Sequence, residues 1–329
     1  MFKNTIKSRL NYLKIRKGAF LIVTIKLINM NNTFFPNSFV KKYKELLGDE
    51  WDEFLKCISQ KKPKSFWVNT NLATIEEVKE ELTKKGISFE QLPFHPQAFE
   101  IFILKPGDLG LYKLGKISLQ EKASIMPAVA LGVNETDTVF DTCASPGMKT
   151  IQLSNFATKG NILATDVNSK RSEILKEIKE KFKLNNVQTK RIDFRNIKRN
   201  KRFDKILLDA PCSSEGIVRK SREALVYWSP ELVRKKAAIQ KNLITKAFDY
   251  LKDGGEMIYS TCSFAPEENE EVVMHLLKEK KNASVEKINL PGIKMRENKI
   301  CKNCVRFYPQ DNNTQQFFIA KIKKCEIKE

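Results

Sequence analysis

The sequence predicts an α/β protein: a doubly wound, mostly parallel sheet behind a smaller α+β region. Three observations carry this expectation. Between Thr138 and Ser263, apolar runs of strand length alternate strictly with longer helical patterns, the order a parallel sheet needs because each strand is reached by a crossover. Acids stand at or just beyond the ends of three of these runs (Asp166, Asp193 and Asp209), where open α/β sheets place their ligand-binding groups. Residues 35–107 instead mix short strands and helices in a unit too small for the same architecture. With 329 residues and 41% hydrophobic content, the chain can bury one large core and one smaller one. The expected organisation is a basic extension (1–33), an α+β region with its linker (34–125) and the large domain (126–329).

In chain order, residues 1–30 carry seven Lys/Arg and no acid, with an apolar run from Ala19 to Met30 interrupted by Lys26. The run is too short to span a bilayer and lacks a small-residue cleavage site, so a dispensable extension is expected rather than a secretion signal. Globular patterning begins just after Met30. Asn37 to Leu47 and Asp52 to Ile58 read as helices and Ser65 to Val68 as a strand. Thr74 with Glu77 forms a capping box opening a helix that presents Ile75, Val78 and Leu82 and stops at Gly86. Ile87 to Leu92 reads as a strand, and Tyr112 to Pro127 as the link to the large domain.

There, Thr138 to Phe140 is a strand and Thr150 to Ala157 a helix. Asn161 to Thr165 is the next strand, and Ser169 to Leu184 an amphipathic helix with Ile174, Leu175, Ile178 and Phe182 on one face. Asp193 falls at the end of the strand-like VQTKRIDF. Phe203 to Leu208 is a buried strand, Ala237 to Leu251 a helix, and Gly255 to Ser263 a strand ending at Cys262.

Charge and cysteines narrow the class. The formal net charge is +20, from 59 Lys+Arg against 39 Asp+Glu, which favours a polyanionic partner; a generally basic surface is the plainer alternative. Seven cysteines without framework spacing argue for a reducing cytosol rather than a disulfide scaffold. Cys301 and Cys304 form a lone CxxC with no second pair of ligands nearby, so no metal is expected.

Two stretches carry chemistry. DTCASPGMKT (Asp141 to Thr150) follows the first strand of the large domain; Pro146-Gly147 makes a tight turn that would admit a ligand to the backbone. With neither GxGxxG nor GxxxxGKT present, a dinucleotide or nucleoside triphosphate is not supported. Asp166 is placed to accept ribose hydroxyls and Asp193 to meet an adenine edge, although an Asp is more often a helix N-cap. The set suits an adenosine ligand without a pyrophosphate, pointing to S-adenosylmethionine. In KILLDAPCSSEG (Lys205 to Gly216), Asp209 and Cys212 stand three residues apart on a rim stiffened by Pro211, and Cys262 ends a neighbouring strand. Two thiols and an acid on adjacent strand ends suggest a reaction centre; buried filler is the plain reading of either cysteine alone.

These motifs, with ISLQEKASIMP (117–127), STCSFAPEENEEVV (260–273) and FFIAK (317–321), give residues 34–323 a resemblance to the Sun/Nop family of RNA cytosine-C5 methyltransferases. The resemblance implies a Rossmann-like methyltransferase domain behind a small RNA-facing domain. It also implies cofactor contacts from Cys143, Ala144, Ser145, Pro146, Gly147, Met148, Lys149, Asp166, Asp193 and Asp209, with Arg171 nearby. Cytosine carbon 5 becomes nucleophilic only after a thiolate adds at carbon 6, and Asp209 would stabilise or shuttle the N3 proton. DNA enzymes with a Pro-Cys motif would nominate Cys212 as nucleophile; the resemblance assigns Cys262 to attack and Cys212 to release. Lys149 is a candidate for tuning a nearby group or touching the base. The sequence departs from the pattern at Met148, where a second Gly is usual, at Gln310, where His is frequent, and at Gln315-Gln316, which replace a Gly pair.

Basic clusters at Arg195, Lys198, Arg199, Lys201 and Arg202, and at Arg219, Lys220 and Arg222, are candidate RNA-backbone contacts or solvated loops. A turn of the D/N-P-P-aromatic type, expected for amino-group methylation, is replaced by DAPC, which favours carbon. A non-catalytic RNA-binding assembly factor is the alternative from another class, and intact Cys262 and Asp209 argue against it. The compact amino-terminal region favours tRNA over rRNA. A cytoplasmic monomer without membrane or metal is expected.

Overall fold

The structure, a computed structural model, describes residues 35–197 and 202–326. The amino-terminal extension and Lys198, Arg199 and Lys201 lie outside the described residues, as does the side chain of Arg222. The chain divides into two compact units, 1–48 and 49–329. In the first, helix α1 (Asn37–Leu47) sets Phe39 and Tyr43 a turn apart, their rings in edge contact at 4.6 Å.

The second unit contains two sheets. After helix α2 (Trp51–Ser59) come strands β1 (Lys64–Val68), β2 (Phe89–Gln91), β3 (Ala98–Ile101) and β4 (Ile117–Leu119), paired antiparallel in the order β2-β3-β1-β4. Helix α3 (Ile75–Lys84) opens with the expected capping box: Glu77 N donates to the Thr74 hydroxyl at 3.1 Å and Thr74 N to the Glu77 carboxylate at 2.8 Å. Its Val78 and Leu82 pack on Phe66, Phe99 and Ile117 of the sheet.

The stretch 112–127, expected to be a linker, is structured instead. It takes in the end of the short helix α4 (Gly110–Lys113), supplies β4, and enters α5 (Lys122–Leu131), a helix with Pro127 inside it. Helix α5 is apolar nearly all round because it touches β1 of the small sheet as well as strands of the large one. Such a helix has no polar face and so no amphipathic period to read.

The large sheet begins with β5 (Thr138–Asp141), α6 (Met148–Phe156), β6 (Asn161–Asp166), α7 (Ser169–Lys181) and β7 (Val187–Arg191). It continues through β8 (Phe203–Asp209), α8 (Pro230–Asp249), β9 (Leu251–Thr261) and α9 (Glu270–Glu279). Strands β7-β6-β5-β8-β9 are parallel. The remainder is antiparallel: β13 (Phe317–Lys324) pairs with β9, β10 (Ala283–Glu286) and β12 (Val305–Phe307), and β11 (Arg296–Glu297) closes the edge. Helix α10 (Pro309–Asn312) precedes β13.

Phe140 on central β5 is fully buried among Phe203, Phe194 and Tyr250, at ring distances of 4.7, 5.8 and 6.0 Å. A buried ring of this size contributes roughly 1.5–3 kcal/mol. Of the four apolar positions expected to face inward on α7, Leu175 and Phe182 are buried and Ile178 packs on the core. Ile174 is exposed, because it precedes Leu175 by one residue and lies 100° around the helix. Cys301 and Cys304 are joined as a disulfide across a four-residue turn, a local pair that the argument from framework spacing missed. No helix among the described residues is long and apolar enough to cross a membrane.

Candidate active site

The chain winds from β5 outward through β6 to β7, then returns to β8 on the other side of β5. That reversal opens a crevice at the carboxyl ends of β5 and β8, the position at which doubly wound sheets bind ligands. Two clefts, of about 400 and 290 Å³, meet there over Cys143, Asp209, Ala210, Ser214 and Cys262.

Asp209 ends β8. Its Oδ2 accepts from the Lys149 ammonium at 2.6 Å and its Oδ1 from the Ser260 hydroxyl at 2.8 Å. Lys149 also donates to the Ser124 hydroxyl at 3.0 Å and lies 5.6 Å from the Phe317 ring centroid. The resemblance placed Lys149 with the cofactor contacts; its ammonium is the direct partner of the Asp209 carboxylate. The Cys212 and Cys262 sulfurs are 2.9 Å apart. Cys262 borders both clefts and Cys212 the smaller one. The hydrogen bond with Cys262 pushes the Cys212 thiol well up, reinforced by burial. Cys143, the third thiol lining the clefts, is pushed up to about 12 by burial, with Asp141 adding to it.

Beneath the thiols lies a group that sequence reasoning did not assign. Glu215 and Glu268 are fully buried and bridged by the hydroxyls of Ser213 and Ser263, each serine following one of the two cysteines. Ser213 N and the Gln240 amide donate to Glu268 at 3.0 and 2.8 Å. Burial, with Glu215 alongside, pushes Glu268 up to about 7. Both glutamates lie inside the two diagnostic motifs, so position was legible and only burial was not. Gly216 closes the arrangement: its N–H donates to Cys262 O at 2.9 Å, and a Cβ there would fall 2.2 Å from that oxygen.

On the cofactor side, Ala144, Pro146, Met148 and Lys149 line the larger cleft, Asp166, Arg171 and Asp193 the smaller, and Ser145 both. Asp166 is fixed by Asn168 N at 2.9 Å and by the Arg171 guanidinium at 3.1 Å. Arg171 also donates to Ser145 O at 2.7 Å, so it braces this wall. Asp193 lies two residues beyond the end of β7 and caps a short turn; the Arg195 side chain holds its carboxyl below the usual range. Val167, Ile192, Ile239 and Leu243 add apolar surface between these acids.

Gly147 lines neither cleft. Its φ is +111°, and a Cβ would meet Ile178 Cγ2 at 2.9 Å, so glycine is required by the packing of α7 rather than by ligand approach, as the sequence had suggested. Asp141, unassigned from sequence, lines the larger cleft. Its Oδ2 accepts from Thr150 at 2.7 Å while its buried Oδ1 has no partner among the described residues. An orphaned acceptor, acids for hydroxyls and apolar walls for a ring fit S-adenosylmethionine, with Asp141 Oδ1 suited to an ammonium.

A family described as 16S rRNA methyltransferase RsmB/F matches residues 128–323. The chain belongs to this family, RsmB/F or Sun/Nop. The N-terminal domain of 16S rRNA methyltransferase RsmF matches residues 35–122. Within the family, a tRNA (cytosine(49)-C(5))-methyltransferase of Pyrococcus abyssi is 35% identical over 302 residues, covering 87% of this chain and 95% of that protein. Ribosomal RNA small subunit methyltransferase F of Aliivibrio fischeri is 32% identical over 307 residues, covering 89% of this chain but 65% of that protein. The crystal structure of a methyltransferase homolog from Pyrococcus horikoshii, 28% identical, aligns with a TM-score of 0.79 over 92% of this chain and 98% of that one. NSun6 from the same organism shares the fold at 22% identity and a TM-score of 0.80, over 89% of this chain and 99% of that one. The protein is an S-adenosylmethionine-dependent RNA methyltransferase acting on carbon 5 of cytosine.

Proposed function

We propose that the substrate is tRNA and that transfer proceeds through a covalent adduct between Cys262 and cytosine carbon 6. The observation favouring tRNA is sequence identity. The relative named as a tRNA (cytosine(49)-C(5))-methyltransferase is 35% identical over 302 residues, against 32% over 307 for the rRNA-modifying one. We further propose that it works in the cytoplasm as a monomer.

Cys262 is the nucleophile in this reading because it borders both clefts, whereas Cys212, its thiol pushed up by the contact with Cys262 and by burial, borders only the smaller one. Addition of the Cys262 thiolate at carbon 6 makes the S–C6 bond and shifts the C5–C6 π electrons into the ring. Asp209, with Lys149 as counter-ion, stabilises the form protonated at N3. Bound S-adenosylmethionine supplies an electrophilic methyl sulfonium. Formation of the thioether at Cys262 removes the contact that raises the Cys212 thiol, and Cys212 loses its proton to solvent. The Cys212 thiolate then takes the proton from carbon 5, the C5–H electron pair re-forms the C5–C6 double bond, and the S–C6 bond breaks to return the Cys262 thiolate. Bulk tRNA and bulk rRNA, each incubated with labelled S-adenosylmethionine and digested to nucleosides, test the reading. Labelled 5-methylcytidine is expected in the tRNA pool; label confined to rRNA would overturn the substrate, and label in neither would overturn the activity.

A further inference from the structure

A trough leads away from the reaction centre. Beside the larger cleft lies a cavity of about 330 Å³ walled by Lys62, Pro63, Pro106 and Glu121, and beyond it one of about 480 Å³ walled by Lys61, Lys64, Phe102 and Leu104. Lys220 borders all three and makes them continuous. The walls combine two features rarely exposed together. Lys61, Lys62, Lys64 and Lys220 make no ion pair among the described residues, and the one acid, Glu121, is occupied in capping α5 and holding Thr314 and Gln315. Phe102 is 58% exposed and Leu104 86%, apolar groups left in water next to cations.

We infer that this trough holds the single-stranded RNA flanking the target cytosine, with Lys61, Lys62, Lys64 and Lys220 receiving phosphates and Phe102 stacking on a base. The inference rests on the functional reading above and adds the path of the strand. Unpaired cations beside a solvent-facing ring match a chain of alternating phosphates and π-faces. A single anion would need neither the ring nor the length. Lys62 lies among these cations: burial, opposed by Glu121 and reinforced by Lys220, Lys64 and Arg219, pushes its ammonium down to about 8. Arg219, expected from sequence as a backbone contact, takes a different part. Its guanidinium donates to the carbonyls of Gln60, Lys61 and Thr314 and to the side chain of Asn313, tying together the loops that form the wall.

Filter binding of an oligocytidylate across a potassium chloride titration, alongside steady-state methyl transfer to tRNA, tests this. The triple variant Lys61→Gln, Lys64→Gln, Lys220→Gln is expected to flatten the log Kd against log salt slope by about 2, each lost phosphate contact being worth roughly 0.7 on a single strand. Phe102→Ala is expected to weaken binding roughly tenfold with the slope retained. Both should raise KM for tRNA without changing the affinity for S-adenosylmethionine. The triple variant Lys84→Gln, Lys176→Gln, Lys278→Gln, on helices away from the trough, controls for net charge. Wild-type slope and affinity in the trough variants, or equal flattening in the control, would overturn the inference. A wild-type protein that binds but methylates no RNA would overturn the functional reading instead, and the slope would still decide the trough.

Discussion

Glu268 is a buried carboxyl surrounded by donors, with a second carboxyl, Glu215, across two shared serine hydroxyls. Its pKa rises from 4.5 to about 7 on folding, so between those values the native state holds a proton that the unfolded chain has released. Stability from this group is complete below about pH 4.5 and falls as pH rises towards 7. Asp141, raised to about 7 by burial, acts with the same sign. Thermal melting from pH 5 to 8 should therefore show a falling Tm. Glu268→Gln, which keeps the volume and removes the titration, should reduce that slope by about half. An unchanged slope would show that Glu268 does not titrate in this window. The residue scale is also where sequence reading stopped. Asp209, Cys212 and Cys262 could be found because strand ends are legible from hydrophobic runs. That Ser213 and Ser263 carry a carboxyl pair depends on burial, which no local pattern encodes.

At the scale of elements, the site is the junction of two loops, one after β8 and one after β9, held in register by Gly216 against the Cys262 carbonyl. Gly216→Ala places a methyl group 2.2 Å from that oxygen, so the loops must separate. Overpacking of this kind costs about 1–3 kcal/mol, and a shift of about 1 Å between reacting groups costs on the order of 100-fold in rate. The variant should bind S-adenosylmethionine like the wild type while kcat falls about 100-fold with a modestly lower Tm. Wild-type kcat would mean that this contact does not set the spacing of the thiols. Elements with a clear period or cap were legible: α3 from its capping box, α7 from its apolar stripe, and the strands of the parallel half from short apolar runs. Helix α5 was not, being apolar on every side with a proline inside, and neither were β10 to β12, two to four residues long and held mainly by pairing with distant strands.

At the scale of the whole molecule, a parallel half-sheet ending in acids meets an antiparallel half in which β13 buries the far side of β9. The parallel half was predictable because its alternation is local in sequence. The antiparallel half is made by long-range pairing, as between β9 and the carboxyl-terminal β13, and only the resemblance at FFIAK signalled that strand. The topology brings Cys212 and Cys262, fifty residues apart in sequence, to a sulfur separation of 2.9 Å. Different roles are proposed for these thiols, attack for Cys262 and release for Cys212. The direct test incubates Cys212→Ala and Cys262→Ala with S-adenosylmethionine and labelled tRNA, then separates protein under denaturing conditions. A stable protein–RNA adduct is expected with Cys212→Ala, and neither adduct nor turnover with Cys262→Ala. An adduct formed by Cys262→Ala, with Cys212→Ala inactive and adduct-free, would reverse the two roles and contradict the assignment.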